Sequence, residues 1–209
     1  MQADPHNIHN LAGDKQYRKV MRRMREANRK WLLEVKDVGF IPEPMMVEIV
    51  KKQSLYDYAR SGNYPLKDIM AAAELASSRD PADLPALIKM LTNKNAVIRY
   101  WAATGCSVLS RHAASAKQEL MNRLGDSEIS VRIAAAEALY LQGEKERPLA
   151  ALKLALKSDN AMARVQALNV LEVMGDDAKG AYDDIRSLLG ADVKDSDYDV
   201  RAAKRIVGH

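Results

Sequence analysis

Val131-Arg132-Ile133-Ala134-Ala135-Ala136-Glu137-Ala138-Leu139 is an alanine-rich segment opened by an arginine, and it decides the fold because it recurs. Val97-Ile98-Arg99-Tyr100-Trp101-Ala102-Ala103, Ala163-Arg164-Val165-Gln166-Ala167-Leu168 and Val200-Arg201-Ala202-Ala203 begin the same way, with arginines 33, 32 and 37 residues apart. A period of this size marks a stacked helical array, in which each repeat buries its apolar face only against its neighbours. The alanines fit the same reading, because neighbouring helix pairs approach closely where side chains are small.

Working outward, the spacing predicts helices near 66–77, 82–92, 96–110, 114–124, 128–142, 147–157, 161–174, 179–189 and 197–207. They pair into units. A first helix with apolar residues four apart (Leu87 and Leu91, Leu120 and Leu124, Leu152 and Leu156, Ile185 and Leu189) precedes an arginine-led second helix. Gly143 and Gly175 follow second helices, where a left-handed cap needs glycine. Composition agrees: of 209 residues 47% are apolar and 29% charged, and there is one phenylalanine, which disfavours a sheet-rich fold. No run approaches eighteen apolar residues, which excludes a membrane-spanning helix.

Charge divides the chain. Residues 1–41 hold nine Lys or Arg against five Asp or Glu, whereas residues 42–209 hold 23 of each. Gly39-Phe40-Ile41-Pro42-Glu43-Pro44 reads as a linker, since two prolines restrict their neighbours to extended conformations. The expected organisation is a basic segment over 1–41, a linker and helical cap over 42–64, and a repeat domain over 65–209. Asp14 is placed to cap a helix running to about Glu34. One stripe of that helix is apolar (Tyr17, Val20, Met21, Met24, Ala27, Trp31, Leu32); another carries Arg18, Arg22, Arg25 and Arg29. The arginines read either as a solvated face or as a contact for an anionic polymer or partner. Glu26 and the lack of interleaved aromatics argue against nucleic acid.

The turns account for the repeated arginines. Asp126 precedes Arg132, Asp159 precedes Arg164, and Asp195, Asp197 and Asp199 precede Arg201, while Arg99 follows Asn93 and Asn95. The pattern resembles HEAT-like repeats of the phycobilisome-lyase type, in which Asp and Arg form a ladder along the stack. That resemblance implies a right-handed all-α solenoid and structural roles for Arg99, Arg132, Arg164, Arg201, Asp126 and Asp159. Arg132 matches best and Arg99 least.

A second resemblance covers the first segment. Ala3-Asp4-Pro5-His6-Asn7-Ile8-His9-Asn10-Leu11-Ala12, followed by a long helix ending near Trp31, is similar to the C-terminal tail of type I sulfatases, with Asn7 where that pattern has glutamate. Gly39-Phe40-Ile41-Pro42-Glu43 and Arg99-Tyr100-Trp101-Ala102-Ala103-Thr104-Gly105 resemble bacterial sulfatases with a helical-repeat extension. This implies a non-catalytic C-terminal region that serves as a packing or protein-interaction surface. Its partner would be a sulfatase core or another protein, and its location periplasmic or extracellular, although Met1–His6 has no signal-peptide character. With no sheet for the helix to pack on, self-association through it or poor order in residues 1–13 is expected.

Candidate chemistry is sparse. Cys106-Ser107-Val108-Leu109-Ser110 lacks the Pro or Ala and the Arg of a formylglycine motif, and Cys106 reads as a small apolar residue on a helix's inner face. Asp195, Asp197 and Asp199 open like a calcium loop, but Val200 and Ile206 stand where glycine and glutamate are required. His6 and His9 are too few for a zinc site. No enzyme activity, cofactor or metal is expected.

Overall fold

The computed structural model describes residues 4, 6, 8–190, 194 and 196–208. They form two compact units that divide between Asp37 and Val38. Ala3, Pro5, Asn7 and Asp195 lie outside the described residues. The described residues contain no strand.

In the first unit the Asp14 carboxylate accepts the Gln16 amide at 2.9 Å and starts a 3-10 turn over Lys15–Tyr17. That turn leads into α1 (Arg18–Val35), which Lys36 ends in the left-handed conformation. None of its eighteen residues is buried. The apolar stripe read from the sequence is therefore open, with Met24 64% and Trp31 55% exposed.

The second unit begins with α2 (Glu43–Val50) and α3 (Leu55–Arg60), followed by α4 (Leu66–Ala76). Helix pairs follow: α5 (Leu84–Met90) with α6 (Ala96–Leu109), α7 (Lys117–Arg123) with α8 (Ile129–Leu141), α9 (Glu146–Leu156) with α10 (Ala161–Met174), and α11 (Tyr182–Arg186) with α12 (Tyr198–Val207). The second helices stand side by side in the order α4, α6, α8, α10, α12, and the first helices form a layer against them. This is an all-α solenoid. Leu87, Leu91, Leu120, Leu152 and Ile185 fill its core from the first layer; Ala102, Ala103, Ala135, Ala138 and Ala167 line it from the second.

Two features differ from the sequence reading. Gly39–Pro44, read as a linker, is packed into the repeat unit: Ile41, Pro42 and Pro44 are buried and the Phe40 carbonyl accepts the Trp101 indole N–H at 2.9 Å. Its prolines start α2, with Pro44 inside the first turn, where the missing amide costs nothing. The first helices expected over 114–124 and 179–189 are shorter, because 3-10 segments (Ser110–Ala116 and Gly175–Ala181) run straight out of the preceding helices. Both open in the same turn, Ser110 at φ 50° and Gly175 at φ 55°. Their buried alanines, Ala113 and Ala116 or Ala178 and Ala181, let the connector lie against the core.

Close approach is sharpest at Gly105. A Cβ there would lie 2.8 Å from Leu87 Cδ2 and 3.0 Å from the Ala76 Cα. Gly105→Ala is predicted to destabilise the protein by ~1–3 kcal/mol, because the Ala76 backbone cannot yield as a side-chain tip can. A lowered urea midpoint with unchanged slope checks it.

Candidate functional site

The arginines form a seam at the starts of the second helices. Three of them reach back to the turn before their own helix: Arg99 Nη1 donates to the Asn93 carbonyl at 2.8 Å, Arg132 Nη1 to the Asp126 carbonyl at 2.6 Å and Arg164 Nη1 to the Ser158 carbonyl at 2.6 Å. In those turns the side chain six residues before the arginine accepts the amide two residues on: Asn93 from Asn95, Asp126 from Glu128, Ser158 from Asn160.

Pairing between repeats runs forward along the stack. Arg99 holds Asp126 of the next turn through Nε at 2.8 Å and Nη2 at 2.7 Å, and Arg123 adds a contact at 3.2 Å. Burial pushes the Asp126 carboxyl up, but the bonds from Arg99 and the Glu128 amide outweigh this and hold it below the usual carboxylate range. Arg164 Nε reaches buried Asp199 at 2.7 Å. The forward direction reverses the expected ranking. Arg99, the poorest match, makes the fullest pair because its partner belongs to the following turn. For Arg132 the position corresponding to Asp126 is Ser158, which offers no carboxylate, and among the described residues Arg132 bonds to carbonyls of its own turn. Asp159 is exposed and has no ion pair among the described residues, so it stands outside the ladder, and exposed Arg201 has the Tyr198 ring 5.9 Å from its guanidinium carbon.

The helix α2 crosses this seam. Asn160 caps α10 through its carbonyl oxygen, accepting the Met162 amide at 3.1 Å, and its Nδ2 donates to the Pro44 carbonyl at 2.9 Å and to Glu48 at 3.1 Å. Ile41 and Met45 line a cavity together with Asn95, Val97 and Glu128, the starts of α6 and α8.

The remaining sequence candidates are dispersed. Arg18, Arg22, Arg25 and Arg29 are exposed on α1, with Arg22 4.0 Å from Glu26 and neighbouring Lys30 3.7 Å from Glu34. Cys106 is fully buried, which pushes its thiol up to about 12 and leaves no thiolate for chemistry. Asp197 precedes α12 and Asp199 is committed to Arg164. His9 lies 3.4 Å from Asp4, whose carboxylate also accepts the Ile8 and His9 amides; His6 is exposed. No group of three potential metal ligands occurs among the described residues, and none of their helices is long and apolar enough to cross a membrane.

Sequence reasoning missed Glu137. It sits half-buried on α8, close to Ser107 of α6 and to Tyr100, with no cation in ion-pair range among the described residues. Burial raises its carboxyl above the ordinary value. Its only sequence signal is a lone acid inside an alanine run.

A HEAT-repeat family pattern matches residues 53–140, from just before α3 to the end of α8. The chain contains a HEAT-like repeat region, and such an array is a helical scaffold for protein interaction. Comparison with curated proteins found no match.

Two outcomes follow from the seam and from Glu137. Arg99→Ala, which leaves Asp126 buried without its main partner, is predicted to cost ~3 kcal/mol, and Arg132→Ala only ~1 kcal/mol. Ser158→Asp, which supplies the carboxylate that Arg132 lacks, is predicted to raise the melting temperature. For pH, the unfolded Glu137 titrates near ~4.3 and the folded one higher, so its contribution is full below that value and falls as pH rises through the folded pKa. Glu137→Gln is predicted to remove this fall, gaining on wild type between acid and neutral pH in urea titrations. Asp126 acts oppositely: its contribution is present above ~3.9 and is lost as pH falls through its depressed folded value.

Proposed function

We propose that the chain is the non-catalytic helical-repeat region of a bacterial sulfatase: α1 packs against the catalytic fold, and the repeats serve as a protein-interaction surface. The observation that carries this reading is α1 itself. Its apolar stripe, including Val20, Met24 and Trp31, is exposed, and a stripe of this kind marks an interface. The same helix follows His9-Asn10-Leu11-Ala12, the tail motif that resembles the sulfatases, and precedes a HEAT-like array. The buried thiol of Cys106 is consistent with a role without chemistry.

The test is titration of the chain with a type I sulfatase core truncated before its terminal helix. Trp31 fluorescence is predicted to shift to the blue with saturable binding, and Met24→Ser with Trp31→Ser to abolish it. Absence of any shift contradicts the sulfatase assignment. Tight binding to heparin that is lost when Arg18, Arg22, Arg25 and Arg29 are neutralised would move the assignment to an anionic polymer.

A further inference from the structure

The periods of 33 and 32 residues set equivalent side chains of α6, α8 and α10 in rows across the second-helix layer. On α6 the positions 97, 101, 104 and 108 form one stripe, turned away from Ala102, Cys106 and Leu109 in the core. The chain itself occupies the upper half of this face. Phe40 accepts from Trp101, Ile41 and Met45 pack toward Val97, and α2 continues across α8 to Asn160 on α10. The occupant uses two apolar anchors and its main-chain carbonyls, so the face demonstrably holds a crossing segment.

The lower half continues the same face. It consists of a polar row, Thr104, Glu137 and Asn169, and an apolar row, Val108, Leu141 and Val173. Val108 is 44% and Val173 59% exposed, and Glu137 lies half-buried between them in the layer. A carboxylate in such a place has lost part of its hydration, and no cation lies in ion-pair range of it among the described residues. A cation brought to it meets a lower dielectric than on open surface.

We infer that this open half is a docking groove for a protein segment presenting one arginine or lysine between apolar residues, the cation on Glu137 and the apolar side chains on Val108, Leu141 and Val173. The inference rests on the array being an interaction scaffold and adds the chemistry of its partner. It does not depend on α1 or on the sulfatase assignment.

The experiment pans a library of random short peptides against the full chain and measures the enriched peptides by fluorescence anisotropy. The expected result is enrichment of a single basic residue flanked by apolar ones, with binding about tenfold weaker to Glu137→Gln and similarly weakened by Val173→Asp. Glu48→Gln, on the already covered half, leaves affinity unchanged. Val173 is exposed, so its substitution keeps the fold, and urea titration verifies that for each variant. Enriched peptides without a basic residue, or ones that bind Glu137→Gln as tightly as wild type, overturn the groove while leaving the scaffold role standing. Failure to enrich any peptide overturns the groove alone, since the sulfatase-core titration reads the other assignment. Peptides that match this chain's own basic helix would make a second copy the occupant and overturn the assignment to a different protein.

Discussion

Everything in the second unit depends on how one helix pair is joined to the next, and the Arg99–Asp126 contact is the clearest instance. No pair in this array can bury its apolar face alone, so the seam between pairs governs stability as much as the core within them. Asp126 is almost fully enclosed, yet its oxygens are satisfied from three sides: a guanidinium from the previous repeat, the Arg123 side chain and the Glu128 amide. A buried carboxylate with that coordination fixes register, because sliding one pair along the other would leave it unpaired.

The ladder is uneven, and the unevenness has structure. Where Asp126 gives way to Ser158, the forward pair is absent, and it is there that Asn160 turns outward to hold Pro44 and Glu48 of α2. The segment 40–50 thus bridges α6 to α10 across the weakest joint, as a strap would. A second tether lies at the other helix ends, where the Tyr140 hydroxyl meets the Met174 carbonyl and Asp177, and Lys145 pairs with Asp177 at 2.9 Å.

The array was legible from the sequence because its cause is local and repeated: an arginine, a run of alanines and an apolar first helix recur at nearly constant spacing. Turn chemistry gave a cap as well, at Asp14. Partner choice along the stack was not legible. Nothing local says that Arg99 pairs with the following turn, 27 residues on, rather than with its own. Nor does local sequence show that two prolines lead into a packed helix instead of a linker, since the decisive contacts, Trp101 to Phe40 and Asn160 to Pro44, span 61 and 116 residues. Glu137 escaped for the same reason: its burial is a property of two helices meeting. The open stripe of α1 was legible as amphipathic, while what it packs against lies beyond what periodicity can tell.

The most direct test of the seam as the organising interaction is a double-mutant cycle on Arg99 and Asp126, with alanine at each position and at both, measured by urea unfolding. A coupling energy of about 2 kcal/mol or more is predicted, because each single variant strands the other's charge in a buried site. A coupling below about 0.5 kcal/mol would contradict the account, placing the cohesion of the stack in its alanine-lined core alone.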